Sequence, residues 1–252
     1  LAKPAAYRVQ SRFHRVPLLV EATGARSVAD FGCGRGGWVQ AFLEAGVERA
    51  IGLDGDWVDP ALLYCPPPAF RAVDLTRPQR LEARVDLAIS LEVAEHLPDT
   101  AAPTFVDSLV AAADIVAFSA AIPGQGGTHH INERWQSYWI GMFADRGYVS
   151  VDRLRPLVWQ DRRIDPFYRQ NILLFATPDR AAALLPDAAE MPVTDVVHPE
   201  IFAIHLRARE RMAGVPQGGR ASIDSIVRGV RGLSQRAGEI LRSARNGAGA
   251  SK

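Results

Sequence analysis

The chain has 252 residues, 48% hydrophobic and 23% charged, enough apolar material for a large core and too much for a disordered polymer. Its 29 Lys+Arg nearly balance 28 Asp+Glu, for a net charge of +1, which excludes a globally basic nucleic-acid binder and leaves only local patches. Two cysteines, Cys33 and Cys65, are too few for a disulfide framework and fit a reducing, cytoplasmic setting.

The opening segment, LAKPAAYRVQSRFHR, carries charges with no apolar run after them and does not read as a secretory signal. No apolar run approaches the roughly 18 residues of a membrane span. Short apolar runs then alternate with helical patterns. SVADF, RAIGLD, FRAVDL, VDLAIS and DIVAFSAAIP read as strands, and WVQAFLEAG and TFVDSLVAAA read as helices. Such alternation predicts a parallel sheet with helices on both faces. VSVDRLRPLVW and RQNILLFAT read as two further strands with no helix between them, an antiparallel hairpin at the end of the sheet. The composition shifts near Pro178, which divides the chain into a domain at 1–178 and an appendage at 179–252. In that appendage Ile223, Ile226, Val227, Val230, Leu233, Ala237, Ile240 and Leu241 form a helical stripe opposite Arg228, Arg231, Arg242 and Arg245. Residues 201–252 hold ten Lys+Arg against three acids. The default meaning is a helix packed on its own domain; the alternative is docking to a partner subunit or an anionic membrane surface.

The first strand runs into DFGCGRGG. Gly32, Gly34 and Gly37 satisfy G-x-G-x-x-G, and Asp30 with Gly32, Gly34 and Gly36 satisfies D-x-G-x-G-x-G. Glycines let the chain turn tightly from strand to helix and let backbone approach a cofactor. Asp54 ends the second strand about twenty residues beyond Gly32, where a carboxylate can accept both ribose hydroxyls. To this point a nicotinamide dehydrogenase and a methyltransferase using S-adenosylmethionine (SAM) look alike. Asp30 separates them: a diphosphate gains nothing from that charge, whereas an ammonium and a sulfonium do. Asp74 in AVDLT could accept the adenine amino group, with the Leu75 N–H reaching the ring, and Trp57 could pack beside the adenine.

DFGCGRGG, LDGDW, VDL and ISLEVAEHLP together resemble the motifs of class I SAM-dependent methyltransferases, over about 27–177 of this chain. The resemblance implies an α/β fold with a seven-stranded, mostly parallel, doubly wound sheet, carrying here a helical C-terminal appendage. It implies SAM as cofactor, bound by Asp30, Gly32, Gly34, Gly36, Asp54, Trp57, Asp74, Leu75 and Leu91. AIPGQGGTHHINERWQSYWIGMFADRGY and FYRQNILLFA resemble a bacterial branch associated with glycan and natural-product pathways. Methyl transfer to a hydroxyl needs a base or a metal, whereas an amine needs little.

Glu92, Glu95 and His96 form E-x-x-E-H after the fourth strand, and His129 and His130 follow the fifth. If a helix starts at Glu92, its acids and imidazole share a face and can hold a divalent ion such as Mg²⁺, with His130 as a further ligand. This is similar to metal-dependent small-RNA 2′-O-methyltransferases and ubiquinone-pathway O-methyltransferases. The plainer alternative has no metal, with His130 as base and Glu95 beside it. The aromatic group Trp135, Tyr138, Trp139 and Phe143 reads as core, and Tyr168, Arg169, Gln170 and Asn171 as the start of the last strand, facing either solvent or a polar acceptor. The expected activity is O-methylation of a polar small molecule or glycan. An N-methyltransferase, an NAD-dependent oxidoreductase and a noncatalytic subunit stand as rivals, and nucleic acid is not favoured as a partner.

Overall fold

The structure, a computed structural model, describes residues 16–184 and 195–212 of the chain. Seven strands form one sheet: β1 (Ser27–Phe31), β2 (Arg49–Asp54), β3 (Phe70–Ala72), β4 (Leu87–Leu91), β5 (Ile115–Ser119), β6 (Val149–Val151) and β7 (Leu173–Ala176), in the order β3-β2-β1-β4-β5-β7-β6. β1 to β5 pair in parallel, while β7 runs antiparallel to both β5 and β6. This is the expected architecture, and the order reverses between β1 and β4. Crevices at such a switch point are where open α/β sheets bind ligands.

The strands alternate between two cores, as period-2 side chains must. Val28, Leu87, Ile89, Ile115, Ala117 and Leu174 enter one core, packed with Leu19 of α1 (Val16–Thr23) and with Trp38 and Phe42 of α2 (Gly37–Glu44). Ala29, Phe31, Ala88, Val116, Phe118, Leu173 and Phe175 enter the other, against Phe105 and Leu109 of α3 (Ala102–Ala112) and Trp139 and Phe143 of α4 (Gln136–Ala144). Both sheet faces are covered, so β4 and β5 are buried at every position, which is why they read as continuous apolar runs. Phe143 stacks on Phe175 with centroids 3.9 Å apart.

The hairpin reading of 148–177 needs correction. β6 and β7 do pair, but α5 (Leu154–Val158) and α6 (Pro166–Asn171) lie between them. Arg155 ends up buried and paired with Asp152 at 2.6 Å, which a strand alternating toward solvent would not provide. Pro166 opens α6, where its missing N–H costs nothing. Tyr168, Arg169, Gln170 and Asn171 are therefore helical and do not start β7.

By contacts the chain divides into two compact units, 1–196 and 197–252, later than the composition shift at Pro178. α7 (Pro178–Leu184) belongs to the first unit and α8 (Pro199–Met212) to the second. The basic stripe at 221–245 lies outside the described residues. Among the described residues no helix is long and apolar enough to cross a membrane.

Candidate functional site

The glycine loop leaves β1 with its backbone in the left-handed region, φ 90° at Gly32 and 54° at Gly34. Gly32 is required twice over, since a Cβ there would lie 2.4 Å from a methyl of Val93. A Cβ on Gly34 would meet nothing within 4 Å, so the loop leaves that side open. Asp54, buried at the end of β2, ties the loop down: Oδ2 accepts from the Gly34 N–H at 2.6 Å and Oδ1 from the Gly55 N–H at 2.7 Å. Each carboxylate oxygen keeps a further acceptor position. Asp30 is buried one strand away, and Leu75 and Leu91 are buried near the strand ends.

Trp57 is 75% exposed, its ring lying where a Cβ on Gly55 would fall. It is an aromatic surface held beside Asp54 without being part of the core. Asp74 lies in the turn after β3. It is exposed and closes a turn, accepting from the Thr76 N–H at 2.9 Å and hydroxyl at 2.6 Å and pairing with Arg77 at 3.2 Å. The Thr76 hydroxyl, the Thr76 N–H and Arg77 hold its carboxyl below the ordinary range.

After β4 the chain forms a single 3-10 turn, Ala94–His96, rather than the helix start anticipated from E-x-x-E-H. Residues 120–135 fold back over it: the Glu95 carbonyl accepts from the Ile131 and Asn132 N–H groups at 2.9 and 3.0 Å. This brings Glu95, His96 and His130 together, with one ligand atom of each within 4.8 Å of the others. Glu95 is fully buried, and neither of its oxygens has a hydrogen-bond partner. The His130 Nε2 stands 4.0 Å from Glu95 Oε1. Burial, then the nearby Glu92 charge, push the Glu95 carboxyl up to about 9; the backbone N–H groups of Glu95 and Ala121 pull the other way without reaching hydrogen-bond geometry.

Both histidines are oriented by their other nitrogen. His130 Nδ1 lies 2.9 Å from Glu133 Oε1, and His96 Nδ1 lies 3.3 Å from the His129 carbonyl. These oxygens accept, so in the neutral form of each ring the proton belongs on Nδ1 and Nε2 is the nitrogen left for a ligand. Glu133 is itself held by the Gly124 and Gly126 N–H groups at 2.7 and 2.8 Å. A Cβ on Gly127 would fall 2.1 Å from His130 Nε2, so that face of the ring depends on glycine. Burial and the neighbouring imidazoles push His96 down, against the pull of the His129 carbonyl.

Glu92 is not part of this group: its oxygens accept from Gln125 Nε2 at 2.8 Å and Asn171 Nδ2 at 3.1 Å. Burial pushes its carboxyl up in spite of those bonds. Tyr168 packs edge-on against Trp38, and Arg169 is buried with its guanidinium on the Trp159 carbonyl. The sequence reading missed Gln125 as a partner of Glu92, and the only trace of it was a polar residue inside a Gly-Pro-rich turn.

No protein-family model matches the chain, and no curated protein matches it. Among solved structures it is similar to the methyltransferase domain of bacterial CtHen1-C, with a TM-score of 0.51 and 18% identity over 68% of this chain and 98% of that one. It is also similar to an O-methyltransferase family protein from Burkholderia thailandensis, with a TM-score of 0.50 and 13% identity over 67% of this chain and 56% of that one. At such identities the likeness establishes the fold, which is the class I methyltransferase fold.

Proposed function

We propose that this chain is a SAM-dependent methyltransferase of the cytoplasm that methylates a hydroxyl of a polar small molecule or glycan, with a divalent cation at Glu95, His96 and His130. The observation that carries the reading is Glu95: a buried carboxylate whose two oxygens lack hydrogen-bond partners, clustered with the imidazoles of His96 and His130, at the sheet end where the glycine loop opens. A cation supplies what those atoms lack, and the donor set fits one. The Nδ1 bonds of both histidines are the outer support that metal-binding histidines need.

SAM fits the other half of the crevice. Asp54 has acceptor positions left for ribose hydroxyls, the open side of Gly34 admits a ligand against backbone, Trp57 offers a ring face to adenine, and Asp30 adds negative charge. In this reading Asp74 and the Leu75 N–H take the adenine, with Asp74 serving its turn as well. When bound, SAM supplies the methyl group on a sulfonium, and a divalent ion would lower the pKa of the acceptor hydroxyl. The chain's own part is positioning: the glycine loop and Asp54 fix the donor, and the folded-back loop fixes His130 and Glu95. Were no cation bound, His130 Nε2 would take the hydroxyl proton itself, with Glu133 steadying the ring.

Calorimetry with SAM, followed by a mass-gain screen of glycan and polyol acceptors with and without chelator, tests the reading. Turnover lost to chelator and restored by Mn²⁺ or Mg²⁺, with SAM binding intact, is the expected result. Chelator-insensitive turnover would return His130 to the role of unaided base, and failure to bind SAM would overturn the activity.

A further inference from the structure

Glu92 has features that a metal ligand does not need. It follows β4 directly with φ 58°, in the left-handed region, where a residue other than glycine is strained. Its N–H is bound to the Ser119 carbonyl at 2.9 Å and hydroxyl at 3.1 Å, which fastens the turn to the end of β5. Its carboxylate is then occupied at both ends by the amides of Gln125 and Asn171.

Those amides are locked in turn. Asn171 Nδ2 also donates to Gln125 Oε1 at 2.9 Å, and Gln170 Nε2 donates to Asn171 Oδ1 at 2.9 Å. Gln136 Nε2 reaches Asn171 Oδ1 at 3.4 Å. All four amides are buried, with Gln170 at 0% and Asn171 at 2% exposure. Turning Glu92 toward Glu95 would strip buried donors of their acceptor and leave each of them unpaired in the interior. Glu92 nevertheless lies close enough for its charge to act on Glu95.

We infer that Gln125 and Asn171 are positioning residues that keep Glu92 out of the cation's donor set, leaving one carboxylate, Glu95, and two imidazoles, His96 and His130, as a site that prefers Mn²⁺ or Co²⁺ to Mg²⁺. The inference rests on the cation site proposed above and adds its composition and its selectivity. Mg²⁺ favours oxygen donors and holds its water tightly, whereas imidazole nitrogen suits later divalent ions. Moving Glu92 into the set would add a second carboxylate and pull the preference back toward Mg²⁺. Held at a distance, it contributes charge without a bond.

The test is calorimetric titration of the full chain with MnCl₂, CoCl₂ and MgCl₂, with Mn²⁺ paramagnetic resonance as a second readout. Wild type should bind Mn²⁺ and Co²⁺ at least about tenfold more tightly than Mg²⁺. Glu95→Gln should weaken Mn²⁺ by about tenfold or more, whereas Glu92→Gln should stay within about threefold of wild type. Glu92→Gln is isosteric but keeps an acceptor for only one of the two amides, so a cooperative melting transition, even at lower temperature, will show that it folds. Gln125→Ala with Asn171→Ala should narrow the gap between Mn²⁺ and Mg²⁺. Equal losses of Mn²⁺ in Glu92→Gln and Glu95→Gln, or Mg²⁺ bound as tightly as Mn²⁺ by wild type, would overturn the assignment while leaving the cation site standing. No ion bound by wild type would overturn both.

Discussion

The two halves of the crevice are built differently. The glycine-loop half is local: one strand end, one glycine loop and the acid at the end of the neighbouring strand, joined by backbone N–H bonds to Asp54. The Glu95 half joins three distant segments, the turn after β4, the loop after β5 and the end of α6. The difference teaches that a site made of backbone and glycine leaves a short motif in the sequence, while a site made of side chains crossing between loops does not.

If the halves are separable, each should fail alone. The largest effect is expected for His130→Ala, which removes an oriented Nε2 and should lower turnover by about 10²- to 10⁴-fold while SAM affinity by calorimetry stays within error. A matching loss of SAM affinity would show that the halves are one unit. Next is Gly32→Ala, which forces a Cβ into Val93 at φ 90°. It should destabilise by about 3 kcal/mol and reduce SAM binding, read by thermal melting and calorimetry. Because Val93 lies between Glu92 and Glu95, this variant also tests whether a clash on the cofactor side carries across; a melting curve identical to wild type would discard the steric argument.

Asp54→Ala should remove charge-assisted bonds to the ribose and weaken SAM by on the order of 2–3 kcal/mol, with Mn²⁺ binding unchanged. An unaltered SAM affinity would remove Asp54 from the cofactor site. The smallest effect concerns the sheet end opposite both halves. Asp86 Oδ2 accepts from the Arg26 N–H at 2.9 Å and from the Ser27 N–H and hydroxyl at 2.8 and 2.9 Å. Burial pushes its carboxyl up, but these three donors outweigh it and the folded-state pKa lies below the ordinary value. Its stabilisation is therefore present above the unfolded-state pKa and lost as pH falls through the folded one. Asp86 is exposed, so Asp86→Asn should cost no more than about 1 kcal/mol near neutral pH and flatten the acid limb of a stability curve. Neither SAM nor Mn²⁺ binding should move; if either does, the halves are not insulated from the sheet's far end.

Much of this was legible beforehand, for reasons that particular residues make clear. SVADF and VDLAIS announce buried parallel strands because both faces of the sheet are covered. Gly32 announces its loop because no other residue tolerates that φ so close to Val93. Glu95, His96 and His130 were legible as residue types, and the fold brings them within reach of one another. What was not legible is that Glu92 would be kept apart from them. Spacing suggested a shared helix face, but the chain makes only a 3-10 turn there, and Glu92 faces Gln125 and Asn171. The helices between β6 and β7 were hidden for a similar reason, since LRPLV and PFYRQN are too short to display a helical period.

The sequence by itself determined the sheet, its two cores and the glycine-loop end of the crevice, because strand period, glycine conformation and an acid at a strand end act over a few residues. Only the tertiary structure decided the other end. Which carboxylate pairs with amides, which is left without partners and which way each imidazole points depend on segments dozens of residues apart meeting in a buried interior. There every buried donor must find an acceptor, and no local pattern records which one it finds.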